Sequence, residues 1–255
     1  MRRDIPFRIR GLAAAFRRAA TPGLLAVTVT ACGLFLADVA AAAQTPSYKV
    51  EKSSAPPPTE LSAAVRDALA PDVLRVTNVP PVLGGNLPEP LCEIWLRKFV
   101  PAAASPVKDL GITFGQIAEG TLVGAIRFSA PLKDYRNQAI PAGVYTLRYA
   151  LIPVDGNHLG IAAQRDFLLL GPAPKDSDPA TLTRDQTLDL SREASGTGHP
   201  SVWSLGPPEA EAGAGTLPAV AHQQGNDTWA LAFNLSVAGG AVPMALVIVG
   251  HAPDI

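Results

Sequence analysis

The sequence predicts an all-β protein: an antiparallel β-sandwich of about nine strands with one or two short peripheral helices. Three observations predict it. Tyr145, Leu147, Tyr149 and Leu151 alternate with Val144, Thr146, Arg148 and Ala150, the period of two of a half-buried strand. Trp229, Leu231, Phe233 and Leu235 repeat that period. Segments of this kind are separated by short Pro- and Gly-rich turns, and only two stretches carry a helical period.

The chain opens on export grammar. Arg2, Arg3, Arg8, Arg10, Arg17 and Arg18 face only Asp4 in a basic leader, Leu24–Leu36 is apolar, and Ala40-Ala41-Ala42-Ala43-Gln44 supplies small residues. That order reads as a signal peptide, residues 1–43, cleaved after Ala43. The expected location is periplasmic or secreted. Two alternatives stand beside it. Val29-Thr30-Ala31-Cys32 resembles a lipobox, which would leave a lipoprotein anchored through Cys32, although apolar sequence continues past that cysteine. An uncleaved anchor would need about 20 apolar residues, and the stretch reaches that length only by including Asp38.

Residues 44–58, ending in Ala55-Pro56-Pro57-Pro58, read as a Pro-rich tether. A single domain is expected over 59–255. Thr59 can cap a helix over Glu60–Leu69, with Pro71 as its stop. Strands follow at Asp72–Asn78 and Leu91–Val100, the latter placing Cys92, Ile94 and Leu96 on one face; Val79–Pro90 between them is turn-rich. Further strands are expected at 121–129, 144–154 and 165–170, with one wet face. Thr183 and Gln186 are spaced as a capping box for a helix over Thr183–Ala194, with Gly196 beyond its end. Strands are read again at Ser201–Leu205, Ala219–Gln223, around Trp229–Leu235 and at Ala241–Gly250. The last is nearly all apolar and reads as a central strand buried on both faces.

The run Ile140-Pro141-Ala142-Gly143-Val144-Tyr145-Thr146-Leu147 resembles the Pro-x-Gly-x-Tyr-x-Leu strand start of exported immunoglobulin-like and prealbumin-like β-sandwiches. The larger block Phe114–Leu170, with Lys133-Asp134-Tyr135-Arg136 and Asp155-Gly156-Asn157-His158, resembles uncharacterised exported bacterial proteins. The resemblance implies a fold; it implies no activity and no catalytic residues.

Composition narrows the function. Of 21 Lys+Arg and 22 Asp+Glu, six and two lie in residues 1–43, so the remaining 212 residues carry a net charge of −5. That disfavours nucleic acid as a partner. Cys92 is the one cysteine after residue 43, so neither an intrachain disulfide nor a cysteine zinc site is available there. No nucleophile elbow, zinc-protease helix, phosphate loop or dinucleotide fingerprint occurs, and no cofactor is expected.

The candidate site residues lie in one loop: Asp155, Asn157, His158, Arg165 and Asp166. Asp155, Asn157, Gly160 and Asp166 fall at positions 1, 3, 6 and 12 of a calcium-loop pattern, but Leu159 stands where an oxygen ligand is wanted. A hairpin turn accounts for the same residues. The four histidines, His158, His199, His222 and His251, sit in separate segments. Hairpin parity puts loops 130–143 and 154–164 at opposite ends of the sheet, which would keep Tyr135 and Arg136 away from His158. The reading is an exported, non-catalytic binding module whose partner is an envelope protein or a carbohydrate, with tryptophans and tyrosines as a possible sugar platform. The alternative is a hydrolase or metal-dependent enzyme built around Asp155, His158 and Asp166.

Overall fold

Strands with an apolar face must pair and then bury that face. The structure, a computed structural model, describes residues 47–79, 89–155, 158, 162, 164–209 and 216–252. In chain order its elements are β1 (Ser47–Ser54), α1 (Ala63–Ala68), β2 (Leu69–Val79), β3 (Pro90–Arg97), β4 (Leu122–Phe128), β5 (Leu132–Lys133), β6 (Ala139–Ile140), β7 (Gly143–Leu151), β8 (Asp166–Pro172), α2 (Arg184–Ser195), β9 (Val202–Gly206), β10 (Ala219–Gln223), β11 (Thr228–Val237) and β12 (Gly240–Val249). Ten strands form one antiparallel sheet in the order β1-β2-β3-β4-β7-β8-β9-β12-β11-β10, and β5 and β6 form a small hairpin apart from it. With 46% strand against 10% helix, the all-β class holds.

One continuous sheet stands where a sandwich of two was expected. It curls until its edge strands β1 and β10 come side by side, making it nearly barrel-shaped. Tyr48 of β1 meets the ring of Trp229 on β11 edge-on, centroids 5.1 Å apart at 68°. Accumulated strand twist, roughly 20–25° per step, supplies the curl. Alternate residues of every long strand point inward: Val76, Ile94, Ile126, Leu147, Leu168 and Leu246 belong to one apolar cluster.

Two expectations near the start of the domain change. The Pro-rich tether is largely a strand, β1, paired with β2 from Ser47↔Val79 to Ser54↔Asp72. Its inward side chains, Tyr48 and Val50, pack against the core, while Lys49 and Glu51 face solvent. The first helix is shorter than expected, and its cap is Ser62, not Thr59. Ser62 Oγ accepts from Val65 N at 3.1 Å and donates to Ser177 O at 2.6 Å. Pro71 does not stop the helix; it lies inside β2, where the register shifts between Leu69 and Val73. α1 places Val65 on an outer apolar cluster with Leu61, Leu69 and Trp95.

The second helix forms as its signals direct. Gln186 N donates to Thr183 Oγ1 at 3.3 Å, Thr183 N donates to Gln186 Oε1 at 2.9 Å, and Gly196 ends the helix in the left-handed conformation at φ 65°. β12 lies between β9 and β11 and is buried on both faces from Met244 to Ile248.

The outer face of β7 is dry at its centre. Thr146 and Arg148 are 0% and 1% exposed, covered by the segment that follows β8. All five N–H donors of Arg148 are used. Nε and Nη2 grip the Asp176 carboxylate at 2.6 Å each. Nη1 reaches Gly120 O (2.7 Å) and Ala180 O (2.8 Å), and Nη2 also reaches Asp178 O (2.6 Å). Gly120 sits at φ 82°, and a Cβ there would lie 2.0 Å from Leu182 O, so the turn under Arg148 requires glycine.

Cys92 is fully buried in the inner cluster, and burial pushes its thiol up to about 12. We expect no reaction of folded protein with an aromatic disulfide reagent and full reaction in urea. Cys92→Ala should cost on the order of 1 kcal/mol and Cys92→Asp several, because an unpaired carboxylate would be buried. Equal melting temperatures for the two variants would refute this placement.

Candidate functional site

The outer faces of β7, β8 and β9 carry a pocket. Because Leu168 and Leu170 of β8 point into the core, Phe167 and Leu169 point outward. With Ala150, Leu151 and Val202 they make an apolar floor. α2 forms one wall: Arg184, Leu188 and Arg192 recur every four residues and face the cavity, while Thr187 and Ser191 are buried. The turn Tyr135-Arg136-Asn137 forms another wall, and residues 198–200, Ile152, Pro153, His158 and His251-Ala252 complete the rim. The cavity measures about 470 Å³, within the size range of small-molecule sites.

Loop 130–143 was expected at the opposite end of the sheet from His158. It folds back instead, and Tyr135, Arg136 and His158 line the same pocket. Asp134 drives the fold-back. Its carboxylate, 0% exposed, accepts from Arg136 N (3.0 Å), Gln138 N (2.9 Å), Gln138 Nε2 (2.8 Å) and Val202 N (3.0 Å). Tyr135 N donates to Val202 O at 2.9 Å, and its ring packs on Phe167 with centroids 6.3 Å apart. The C-terminal wall is tied to the same turn by Ala252 N→Tyr135 O, 2.8 Å.

The sequence candidates separate. His158 Nδ1 lies 2.6 Å from Asp155 Oδ1, so these two pair, and of them only His158 lines the pocket. Asn157 and Gly160 lie outside the described residues. Arg165 turns away from the His158–Asp155 pair: Nε donates to Ile152 O at 3.1 Å, and Nη1 is 3.8 Å from Asp109. Asp166 is fully buried, and its oxygens accept from Thr113 N (2.8 Å), Phe114 N (3.0 Å) and Tyr149 Oη (2.6 Å). Burial and then this hydrogen bond to Asp166 raise the Tyr149 phenol well above its ordinary value. Asp166 thus clamps the 113–114 loop to the sheet.

Three histidines that the sequence scatters line the one cavity: His158, His199 and His251. Each has Nδ1 beside an acceptor: Asp155 for His158, Pro200 O for His199 and Ala252 O for His251, the last two at 2.8 Å. Nδ1–H is therefore the donor in each, and Nε2 carries the lone pair in the neutral ring. Burial, chiefly, holds His199 below the ordinary imidazole value. His222 lies elsewhere, against Trp229 and Asp227. Among the described residues no three His, Cys, Asp or Glu side chains are grouped to hold a metal.

The charged lining is of one sign. Arg136, Arg184 and Arg192 face the cavity, and no Asp or Glu is among its described lining residues. Arg184 and Arg192 make exposed pairs with Glu119 (3.5 Å) and Asp189 (2.7 Å), which hold them only weakly. No Ser, Thr, Cys or Lys is among the described lining residues either. The tryptophans are taken up by packing: Trp95 is 2% exposed and donates to Ala55 O at 3.1 Å, and Trp203 stacks on Phe128 at 5.1 Å. Sequence reasoning overlooked Arg184 and Arg192; their spacing with Leu188 on a capped helix was the available signal.

The fold and site define a β-rich protein with a preformed, basic-rimmed apolar pocket on the outside of a nearly closed sheet. Among the described residues no helix is long and apolar enough to cross a membrane. Comparison with protein-family models, with curated proteins and with solved structures finds no match, so the geometry alone carries the functional reading.

Proposed function

We propose that the chain is exported to the cell envelope by residues 1–43 and acts there as a non-catalytic binding module, with the outer-face pocket as its ligand site. The observation that carries the reading is a preformed cavity of about 470 Å³ with an apolar floor and, among its described lining residues, no hydroxyl, thiol or amine nucleophile other than the Tyr135 phenol. The basic leader, apolar stretch and Ala-x-Ala sequence support export. N-terminal sequencing of the exported protein should begin at Gln44. An acylated Cys32 at the N-terminus would establish the lipoprotein route instead, and an intact leader the membrane anchor.

A neutral solvatochromic dye tests the pocket. Nile red should bind with a Kd on the order of 10 μM, from about 0.3 kcal/mol per heavy atom. Ala150 sits half-exposed on the pocket floor, so Ala150→Trp should fill the cavity and abolish the emission without lowering the melting temperature. Equal dye emission from the variant and the wild type would remove the pocket as the ligand site.

One observation favours a second reading. The Asp155–His158 contact of 2.6 Å orients an imidazole as a general base would be oriented. With no serine or cysteine among the described lining residues, such a base would activate water. Hydrolysis of p-nitrophenyl decanoate that vanishes in His158→Ala would establish that reading over the binding module.

A further inference from the structure

We infer that the pocket takes an anionic amphiphile: an apolar body on the floor of β7–β9, with one carboxylate or phosphate group at the arginine rim. The inference rests on the pocket being the ligand site, and it names the chemistry of what enters. Outside residues 1–43 the chain carries a net charge of −5. Against that acidic background, every charged residue described in the cavity lining is basic. Three guanidinium groups arriving from two walls, Arg136 from the β5–β6 turn and Arg184 and Arg192 from α2, are suited to the planar, bidentate capture of carboxylate or phosphate oxygens. Arg136 makes no ion pair with any described residue. The two acidic partners of the α2 arginines, Glu119 and Asp189, stay outside the lining and hold exposed pairs that a ligand can replace.

The lining argues against the other ligand classes. A cation would meet three arginines, and no carboxylate is among the described lining residues to receive it. A sugar presents many hydroxyls, but Asn137 is the one carboxamide described in the lining, and no carboxylate joins it. A bare anion would leave Phe167, Leu169, Leu188 and Val202 uncovered. An apolar body with a single anionic end satisfies both parts of the cavity.

The test is displacement of Nile red by decanoate, decyl phosphate, decanol, decyltrimethylammonium and inorganic phosphate. Decanoate or decyl phosphate should bind at least about tenfold tighter than decanol, as charge-assisted hydrogen bonds require. The ratio of these two probes identifies the headgroup. The cationic probe should not compete, and inorganic phosphate should be far weaker than decyl phosphate. Arg136→Gln combined with Arg192→Gln should bring decanoate down to the affinity of decanol, the two probes being compared within the same variant. Equal affinities of decanol and decanoate for the wild type, with dye still excluded by Ala150→Trp, would overturn the anionic class and keep the pocket. Inorganic phosphate as tight as decyl phosphate would overturn the apolar body. Dye binding unaffected by Ala150→Trp would instead show that the pocket reading itself had failed.

Discussion

Asp176→Ala should lose about 3–5 kcal/mol of stability, because it strands the Arg148 guanidinium in a place that water does not reach. Arg148 is 1% exposed and Asp176 2%. The carboxylate takes two of the five donors, and Thr146 Oγ1 donates to the same oxygen, Oδ2, that receives Nε. The three remaining donors hold the Gly120 turn and the backbone at Asp178 and Ala180, so the charge fastens two loops to β7. Arg148→Met with Asp176→Leu removes the stranded charge and should recover part of the loss, but not all of it, because the Gly120, Asp178 and Ala180 carbonyls then lack their donors. Urea unfolding of the wild type, both single variants and the double variant measures the difference. An Asp176→Ala midpoint equal to the wild type would show that the network is solvent-relaxed and adds nothing.

Asp134→Ala should be nearly as costly, and it should also remove the pocket. Its carboxylate satisfies four N–H donors, three of them backbone. Losing it leaves buried donors without partners at about 1–3 kcal/mol each for those that water cannot reach. The turn it organises carries Tyr135 and Arg136 to the cavity and receives Ala252 N. We therefore expect a loss of about 2–4 kcal/mol together with loss of Nile red binding under conditions where the variant is still folded. Asp134→Asn retains one accepting oxygen and should fall between. Unchanged dye binding in folded Asp134→Ala would show that the turn stands without its carboxylate.

Much of the strand framework was legible. The alternation around Tyr145–Leu151 and Trp229–Leu235 and the nearly all-apolar run Ala241–Gly250 lie in strands, apart from the last residue, Gly250. The Thr183–Gln186 box and Gly196 bound α2 as read. Closure was not legible, because a sandwich and a curled sheet both bury every second residue. β1 carried its own signal, Tyr48 and Val50 alternating with Lys49 and Glu51, which the three prolines after it obscured. The site was hidden by a different mechanism. Hairpin parity fixes the end at which a loop leaves a sheet, and it cannot register that a buried aspartate such as Asp134 draws the loop back across the face. For the same reason nothing in the sequence marked Asp134 and Asp176 as buried, and Asp166 stood out as a loop ligand: their partners are backbone groups, a tyrosine and an arginine distant in sequence.

The contact between the first strand and the last ones has a consequence for the order in which the protein acquires its structure. β1 emerges first from synthesis, yet its neighbours across the seam, β10 and β11, are nearly the last strands made. A growing chain can form the β1–β4 meander but has nothing to lay against Tyr48 until Trp229 exists. Closing a loop of that length is entropically slow, and contacts so distant in sequence delay folding. The unfinished sheet stays open at both edges throughout elongation. On the export route proposed above, such delay would keep the chain transport-competent, and a chain truncated after Gly206 should show no cooperative thermal transition.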